Sequence, residues 1–105
     1  MTKNLILKPK PIKENDVKRQ VKDWLTLNGY FNFHLLAGMG AYKGAPDRIA
    51  VKKGGQVYFI EVKKPKGGIQ SEYQIEFQRR IEEKGGKYLL VRSLEELIKK
   101  LKEDK

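Results

Sequence analysis

Three segments of the chain carry apolar residues at the spacing of an α-helix. The first ends at Asn28-Gly29, a helix stop signal. The second and third begin at Ser71 and Ser93, each followed three residues later by a Gln or Glu, which is the spacing of a capping box. The predicted helices and their apolar positions are about Ile12 to Leu27 (Val17, Val21, Trp24, Leu25), from Ser71 to Gly85-Gly86 (Tyr73, Phe77, Ile81), and from Ser93 onward (Leu94, Leu97, Ile98, Leu101).

Four shorter runs are rich in aromatic and β-branched residues and predict strands over residues 30–36, 47–52, 56–63 and 87–92. The element order is therefore α-β-β-β-α-β-α, an α/β sandwich with a mixed four-stranded sheet flanked by helices. The helix between the third and fourth strands is long enough to make those two strands parallel.

The second and third strands are separated by Lys53-Gly54-Gly55 and predict a hairpin, whose register depends on the turn. A two-residue turn pairs Asp47 with Val62. A three-residue loop pairs Asp47 with Glu61 and puts Ile49 and Phe59 on one face, and we favour this register because it keeps the apolar residues together.

The segments outside these elements divide the chain into an arm and one domain. Residues 1–11 contain Pro9 and Pro11 and no helical pattern, which predicts a basic N-terminal arm. Residues 12–105 are expected to form a single domain. Within it, residues 37–46 are Gly-rich and predict a loop. The glycines of this loop do not match nucleotide-binding patterns, so no nucleotide cofactor is expected.

Charge adds a candidate partner. The 105 residues carry 23 Lys and Arg against 13 Asp and Glu, a net charge of +10. Local sums are +5 for residues 1–22 and +4 for 47–66, but only +1 for 71–105. A field of this sign attracts polyanions such as nucleic acid, which we expect to contact the first two-thirds of the chain.

Composition excludes several classes of site. There is no Cys and one His, so zinc sites and disulfide scaffolds lack their ligands, and a metal would need oxygen donors. No apolar run reaches the ~20 residues that span a bilayer. We therefore expect a soluble, intracellular protein of the cytoplasm with no membrane partner.

The favoured hairpin register brings together side chains that suit metal chemistry. Glu61 and Lys63 share one face of their strand, and Asp47 lies opposite Glu61. Two facing carboxylates repel each other unless a cation lies between them. Their hard oxygens suit Mg²⁺ or Mn²⁺, and the Val62 carbonyl is a third candidate ligand. Such a metal activates water and stabilises charge on a phosphodiester, with Lys63 orienting the water or the phosphate.

At these residues the sequence resembles the PD-(D/E)XK nuclease superfamily. The segments Gly44-Ala45-Pro46-Asp47, Phe59-Ile60-Glu61-Val62-Lys63 and Gly67 to Phe77 resemble, within it, the VRR-NUC family of virus-type replication-repair nucleases. The resemblance covers roughly residues 12–95. It implies a restriction-endonuclease-like core and active-site roles for Gln74 and, by placement, Glu14, which is also a candidate metal ligand.

The resemblance implies a Mg²⁺- or Mn²⁺-dependent DNA endonuclease of replication, recombination or repair, with a preference for branched, flapped or four-way junction DNA. For a stand-alone domain of this size it also implies a homodimer. Two other readings stay open at this point. One is a non-catalytic basic nucleic-acid-binding module on the same fold. The other is an archaeal-type Holliday-junction resolvase of the same superfamily.

Several candidate residues have an ordinary structural explanation beside the functional one. Gln74 completes a capping box with Ser71, and Glu14 complements the dipole of the first helix. His34 is expected to be structural or to lie at the margin of the site. The candidate DNA contacts could equally be solvated surface residues; they are Tyr42, Lys43, Lys52, Lys53, Lys64 and Lys66.

Overall fold

The computed structural model describes residues 11–36 and 41–104. Almost all of the arm predicted over 1–11, and residues 37–40 of the Gly-rich loop, lie outside the described residues. The elements follow the predicted order: α1 (Glu14–Leu27), β1 (Phe31–His34), β2 (Arg48–Val51), β3 (Val57–Val62), α2 (Glu72–Glu83), β4 (Lys87–Val91) and α3 (Leu94–Glu103).

The four strands form one mixed sheet in the order β1-β2-β3-β4. The pairs β1/β2 and β2/β3 are antiparallel, whereas β3 and β4 are parallel and are joined by α2, as predicted. Val51 pairs with Val57 and Ile49 with Phe59, which confirms the register of the three-residue loop. Gly54 and Gly55 both have a positive φ, so the turn uses two left-handed positions.

The main core lies between the sheet and the pair α1 and α3. Alternation along β3 sends Tyr58, Ile60 and Val62 to this face, and all three are almost fully buried. The helices and neighbouring strands complete the cluster with Val17, Val21, Leu25, Ala50, Val91, Leu97 and Leu101. Trp24 packs against this cluster while staying partly exposed.

The other face of the sheet is covered by α2 over part of its width. Phe77 of α2 packs edge-on against Phe59, with ring centroids 5.9 Å apart, and also contacts Tyr88. The same face of β1 is left open, because Phe31 and Phe33 are 68% and 40% exposed. The observed strand, Phe31–His34, is shorter than the strand predicted over 30–36, and α2 does not cover its two phenylalanine side chains.

The N-termini of α1 and α2, which lie nearest the candidate site, are capped by side chains. The Lys13 N–H donates to Asp16, so α1 begins at Glu14 instead of Ile12. Ser71 accepts from the Gln74 N–H at 3.1 Å, and Gln74 Oε1 accepts from the Ser71 N–H at 2.8 Å. The capping box predicted for α2 is confirmed.

The loop before β2 lies directly on the first turn of α2, and Gly44 makes this contact. Its φ is +84°, and a Cβ there would lie 2.1 Å from the Tyr73 carbonyl oxygen. Gly29 has nearly the same φ, +82°, but a Cβ there would have nothing within 4 Å.

We expect Gly44→Ala to destabilise the fold much more than Gly29→Ala. Both substitutions place a Cβ in the left-handed region, at a cost of about 1–2 kcal/mol, but only Gly44→Ala also forces the loop away from α2. The loss in unfolding free energy for Gly44→Ala should therefore exceed that for Gly29→Ala by at least ~1 kcal/mol, measured by urea denaturation. Equal losses would contradict this packing.

Candidate metal and phosphodiester site

The centre of the candidate site is Glu61, a carboxylate on β3 whose residue is only 3% exposed. It lies on the α2 side of the sheet, next to Phe59 in the alternation. One oxygen, Oε2, accepts from Gln74 Nε2 at 2.8 Å and lies 3.5 Å from Lys63 Nζ. The other, Oε1, is buried and has no hydrogen-bond partner among residues 11–36 and 41–104.

This environment disfavours the charged form of Glu61. Burial, and secondly the negative charge of Asp47, raise the pKa of Glu61 to about 7, although the Lys63 ammonium opposes them. A buried carboxylate oxygen without a partner is costly in a folded protein and is seldom retained without a reason. Glu61 is therefore a candidate ligand for a cation.

Asp47 lies at the point where the loop enters β2, beside the end of β3. Its Oδ2 accepts from the backbone N–H of Val62 at 2.6 Å. Its Oδ1 lies 3.1 Å from Lys18 Nζ on α1. The side chain thus links three elements: the loop, β3 and α1.

The β2–β3 ladder stops just before Val62, which affects the Val62 carbonyl. The backbone N–H of Lys52 donates to the backbone carbonyl of Gln56, so every second residue of β2 from Lys52 back toward Arg48 exchanges hydrogen bonds with β3. Arg48 and Ile60 are the last paired residues of this ladder. Continued by two residues, the ladder would place Pro46 opposite Val62, but proline has no N–H to donate. Pro46 and Asp47 therefore leave the Val62 carbonyl without its ladder donor.

Gln74 makes two contacts, one that caps a helix and one that reaches Glu61. Its Oε1 caps the start of α2 through Ser71, and its Nε2 donates to Glu61. The two contacts use opposite ends of one amide. The first turn of α2 is thereby joined to the carboxylate on β3.

Glu14 reaches the site through Lys18. Lys18 Nζ lies 3.1 Å from Glu14 Oε2 and 3.1 Å from Asp47 Oδ1, so one ammonium bridges two carboxylates. Burial would lower the pKa of Lys18, but the charges and hydrogen bonds of Asp47 and Glu14 outweigh it and raise the pKa above its ordinary value. Lys18 also lines a cavity of about 250 Å³ with Val21, His34, Leu35, Asp47, Arg48 and Val62. His34 lines this cavity together with Asp47.

Lys18 is the residue that the sequence patterns did not single out. The available signal was its position four residues after Glu14, which places the two side chains on one helix face. That spacing alone predicts an ordinary surface ion pair. Only the docking of α1 beside Asp47 makes Lys18 part of the site.

The residues where β2 begins and β3 ends fit a hard divalent cation. Asp47, Glu61 and the Val62 carbonyl offer oxygen donors, and the partnerless Oε1 of Glu61 is the strongest local reason to expect a ligand. Over residues 11–36 and 41–104, no group of three or more His, Cys, Asp or Glu side chains is spaced to hold a metal ion. A ligand set in this region therefore needs donors besides these side chains, such as backbone or solvent oxygen.

The candidate DNA contacts separate into three groups. Tyr42 and Lys43 line a cleft that also contains Asp47 and Gln74; Arg80 donates to the Tyr42 hydroxyl, and Lys43 lies 5.0 Å from the ring centre of Tyr73. Lys64 and Lys66 flank a second cavity, of about 550 Å³, beside Glu14.

Lys52 and Lys53 lie elsewhere. They belong to the hairpin turn, at the end of β2 and β3 opposite to Asp47, a separation of roughly 16 Å at the usual rise per strand residue. Lys52 and Lys53 are therefore not grouped with Lys64 and Lys66 beside the site. The reason is that turn and strand end lie at opposite ends of the hairpin, although they are close in sequence.

In the part of the chain that the structure describes, no helix has the length and apolar character needed to cross a bilayer.

Comparison with known proteins agrees with the motifs at the level of the fold. No protein-family model matches the sequence, and a search of curated proteins finds no significant match. Two solved structures do match. One, described as "VRR_NUC domain", has a TM-score of 0.76 and 23% sequence identity, and the match covers 88% of this chain and 97% of that one. The other, described as "VRR_NUC domain protein", has a TM-score of 0.73 and 20% identity, with 89% and 88% covered. The fold implied by the sequence motifs is thus confirmed: the chain has the same fold as these two structures described as VRR_NUC domains.

Proposed function

We propose that the chain is a metal-dependent DNA endonuclease of the VRR-NUC family, and that Glu61 is the observation that carries this assignment. A buried carboxylate with one partnerless oxygen, beside Asp47, Lys63 and Gln74, suits cation-assisted phosphodiester hydrolysis. A module that only binds DNA would gain nothing from two carboxylates where a phosphate approaches, so the non-catalytic alternative is less well supported.

The proposed ligands are Asp47, Glu61 and the Val62 carbonyl, with Glu14 as a further candidate. Mg²⁺ or Mn²⁺ bound there would supply Lewis-acid stabilisation of the phosphate and a more acidic water. Gln74 keeps Glu61 in one rotamer by donating to Oε2, and the Val62 N–H does the same for Asp47. Both carboxylates are thereby oriented before a ligand arrives.

Lys63 is proposed as the group that acts on the attacking water or the scissile phosphate. Its ammonium lies 3.5 Å from Glu61 Oε2, and its side chain is 14% exposed, so it is placed at the rim of the buried carboxylate. A positive charge there can bind a phosphate oxygen and stabilise the charge that develops in the transition state.

The substrate is proposed to be DNA that is branched, flapped or joined in a four-way junction, bound by a homodimer. Support for the DNA comes from the basic residues on both sides of the site, Lys43 on one and Lys64 and Lys66 on the other. The branch preference and the dimer come from the resemblance to the family. Cleavage of linear, flapped and four-way DNA in parallel, with light scattering for the oligomer, tests both.

We expect Asp47→Asn and Lys63→Met each to reduce Mg²⁺-dependent cleavage by roughly two to four orders of magnitude. The reason is that the first removes a ligand charge and the second the ammonium at the phosphate, while both keep the size of the side chain. Gel assays with Mg²⁺, Mn²⁺ or EDTA would measure the loss. Asp23→Asn, an exposed position on α1, is the matched control. Full cleavage by Lys63→Met, or cleavage in EDTA, would refute these roles.

We expect Glu61→Gln to abolish cleavage and yet to stabilise the metal-free fold at neutral pH, by about 1–3 kcal/mol. Glu61 has a pKa of about 7 in the folded chain and an ordinary value of 4.5, so the folded state binds the proton more tightly. Wild-type stability from this group therefore falls as pH rises from about 4.5 to 7, and the amide avoids that loss.

Urea denaturation at pH 4 and pH 8 in EDTA tests this expectation. The advantage of Glu61→Gln should be present at pH 8 and disappear near pH 4, where Glu61 is protonated in both states. Glu95→Gln, at an exposed position on α3, should stay within about 0.5 kcal/mol of wild type at both pH values. If Glu61→Gln is less stable than wild type at pH 8, the charged Glu61 side chain does not destabilise the metal-free fold.

We expect the double variant Lys64→Gln/Lys66→Gln to weaken DNA binding more than Lys52→Gln/Lys53→Gln. Both remove two charges from the protein, so their effect on net charge is identical, but only the first pair lies beside the site. Fluorescence anisotropy at several salt concentrations should show a salt slope reduced by about 2 for the first pair. Equal effects would mean that DNA affinity depends on the net charge of the protein and not on the surface beside the site.

A further inference from the structure

The bridge made by Lys18 has a consequence for how many cations the site can take. Its ammonium is 3.1 Å from an oxygen of Glu14 and 3.1 Å from an oxygen of Asp47. These are the carboxylates that a second divalent ion would need, on the α1 side of Asp47. The side chains of all three residues are between a quarter and two-fifths exposed, so solvent ions can reach them.

We propose that Lys18 is a positioning residue that takes the place of a second metal ion, so that the site binds a single divalent cation between Asp47 and Glu61. The inference rests on the proposed metal site and adds to it the number of ions. An ammonium tethered to α1 supplies one positive charge at a fixed point and needs no free ion in solution.

The balance of charge supports one ion. The carboxylates of Glu14, Asp47 and Glu61 face the ammonium groups of Lys18 and Lys63, and Arg48 lines the same cavity as Lys18 and Asp47. The three carboxylates are therefore already matched by three cationic side chains. One divalent ion between Asp47 and Glu61 would relieve the repulsion between those two carboxylates, whereas a second would meet Lys18 at close range and be repelled.

The geometry separates the two sides of Asp47. Oδ1 is used by Lys18, and Oδ2 accepts the Val62 N–H beside the strand end that carries Glu61. The two oxygens of one carboxylate thus face different partners. An ion on the Glu61 side leaves the Lys18 contact in place, while an ion on the α1 side requires Lys18 to leave.

The test is to count bound Mn²⁺ by electron paramagnetic resonance of the free ion and by titration calorimetry, without DNA. We expect one Mn²⁺ per wild-type chain. Lys18→Met removes the ammonium and leaves Glu14 and Asp47 unmatched, so we expect two Mn²⁺ per chain, the second with an affinity at least roughly tenfold higher than any further binding to wild type. Lys18→Arg keeps the charge and should bind one.

Lys22→Met is the matched control, because Lys22 is exposed one turn further along the same helix. It removes the same charge and should still bind one ion. If Lys18→Met fails to fold, as judged by circular dichroism, Lys18→Gln replaces it with the same expectation.

The outcomes separate this inference from the proposed function. One ion in wild type that disappears in Asp47→Asn supports the proposed metal site; no ion in wild type would refute that site and the inference with it. One ion in both wild type and Lys18→Met, or two in wild type, would overturn the inference alone. Two ions in both Lys18→Met and Lys22→Met would show a general charge effect, which also overturns it.

Discussion

The β2–β3 ladder ends at Arg48 and Ile60, and the rest of the site depends on how the backbone of Val62 is satisfied beyond that point. An extension of β2 would normally continue the pairing, but Pro46 has no N–H to offer. Asp47 supplies the acceptor for the Val62 N–H with its side chain. The Val62 carbonyl is left without a ladder donor. One proline and one aspartate thus end a sheet and create a set of oxygen donors.

The second constraint is that the site is joined to both layers of helices. Gln74 caps α2 with one end of its amide and holds Glu61 with the other, so the start of that helix and the carboxylate on β3 are positioned together. On the opposite side, Lys18 ties α1 to Asp47. Gly44 lets the intervening loop lie against α2. Small movements of α1 or α2 would therefore shift the carboxylates, since Asp47 is held to α1 by an ion pair and Glu61 to α2 by a hydrogen bond.

The cost of this arrangement is concentrated in Glu61. Its carboxylate is buried and only one oxygen is hydrogen bonded, in a strand that is otherwise apolar and well packed. Burial raises its pKa to about 7, so the metal-free fold resists the charge that a cation would favour. Local destabilisation of this kind is typical of residues kept for binding or catalysis and not for packing. Lys63 and Gln74 reduce the penalty without removing it.

Local patterns along the sequence determined the element order, the parallel β3–β4 pair, the hairpin register and the meeting of Asp47, Glu61 and Lys63, because periodicity, capping and turn length act over a few residues. The place of Gln74 beside them was implied only by the resemblance to the family. The local patterns did not determine which lysines adjoin the site: Lys52 and Lys53 are remote and Lys18 is close. They also left open whether Glu14 approaches Asp47, and they did not indicate that Phe31 and Phe33 stay exposed. Those features depend on how α1 docks on the sheet and how far α2 covers it. Such packing is set by contacts between residues distant in sequence, so only the tertiary structure decided them.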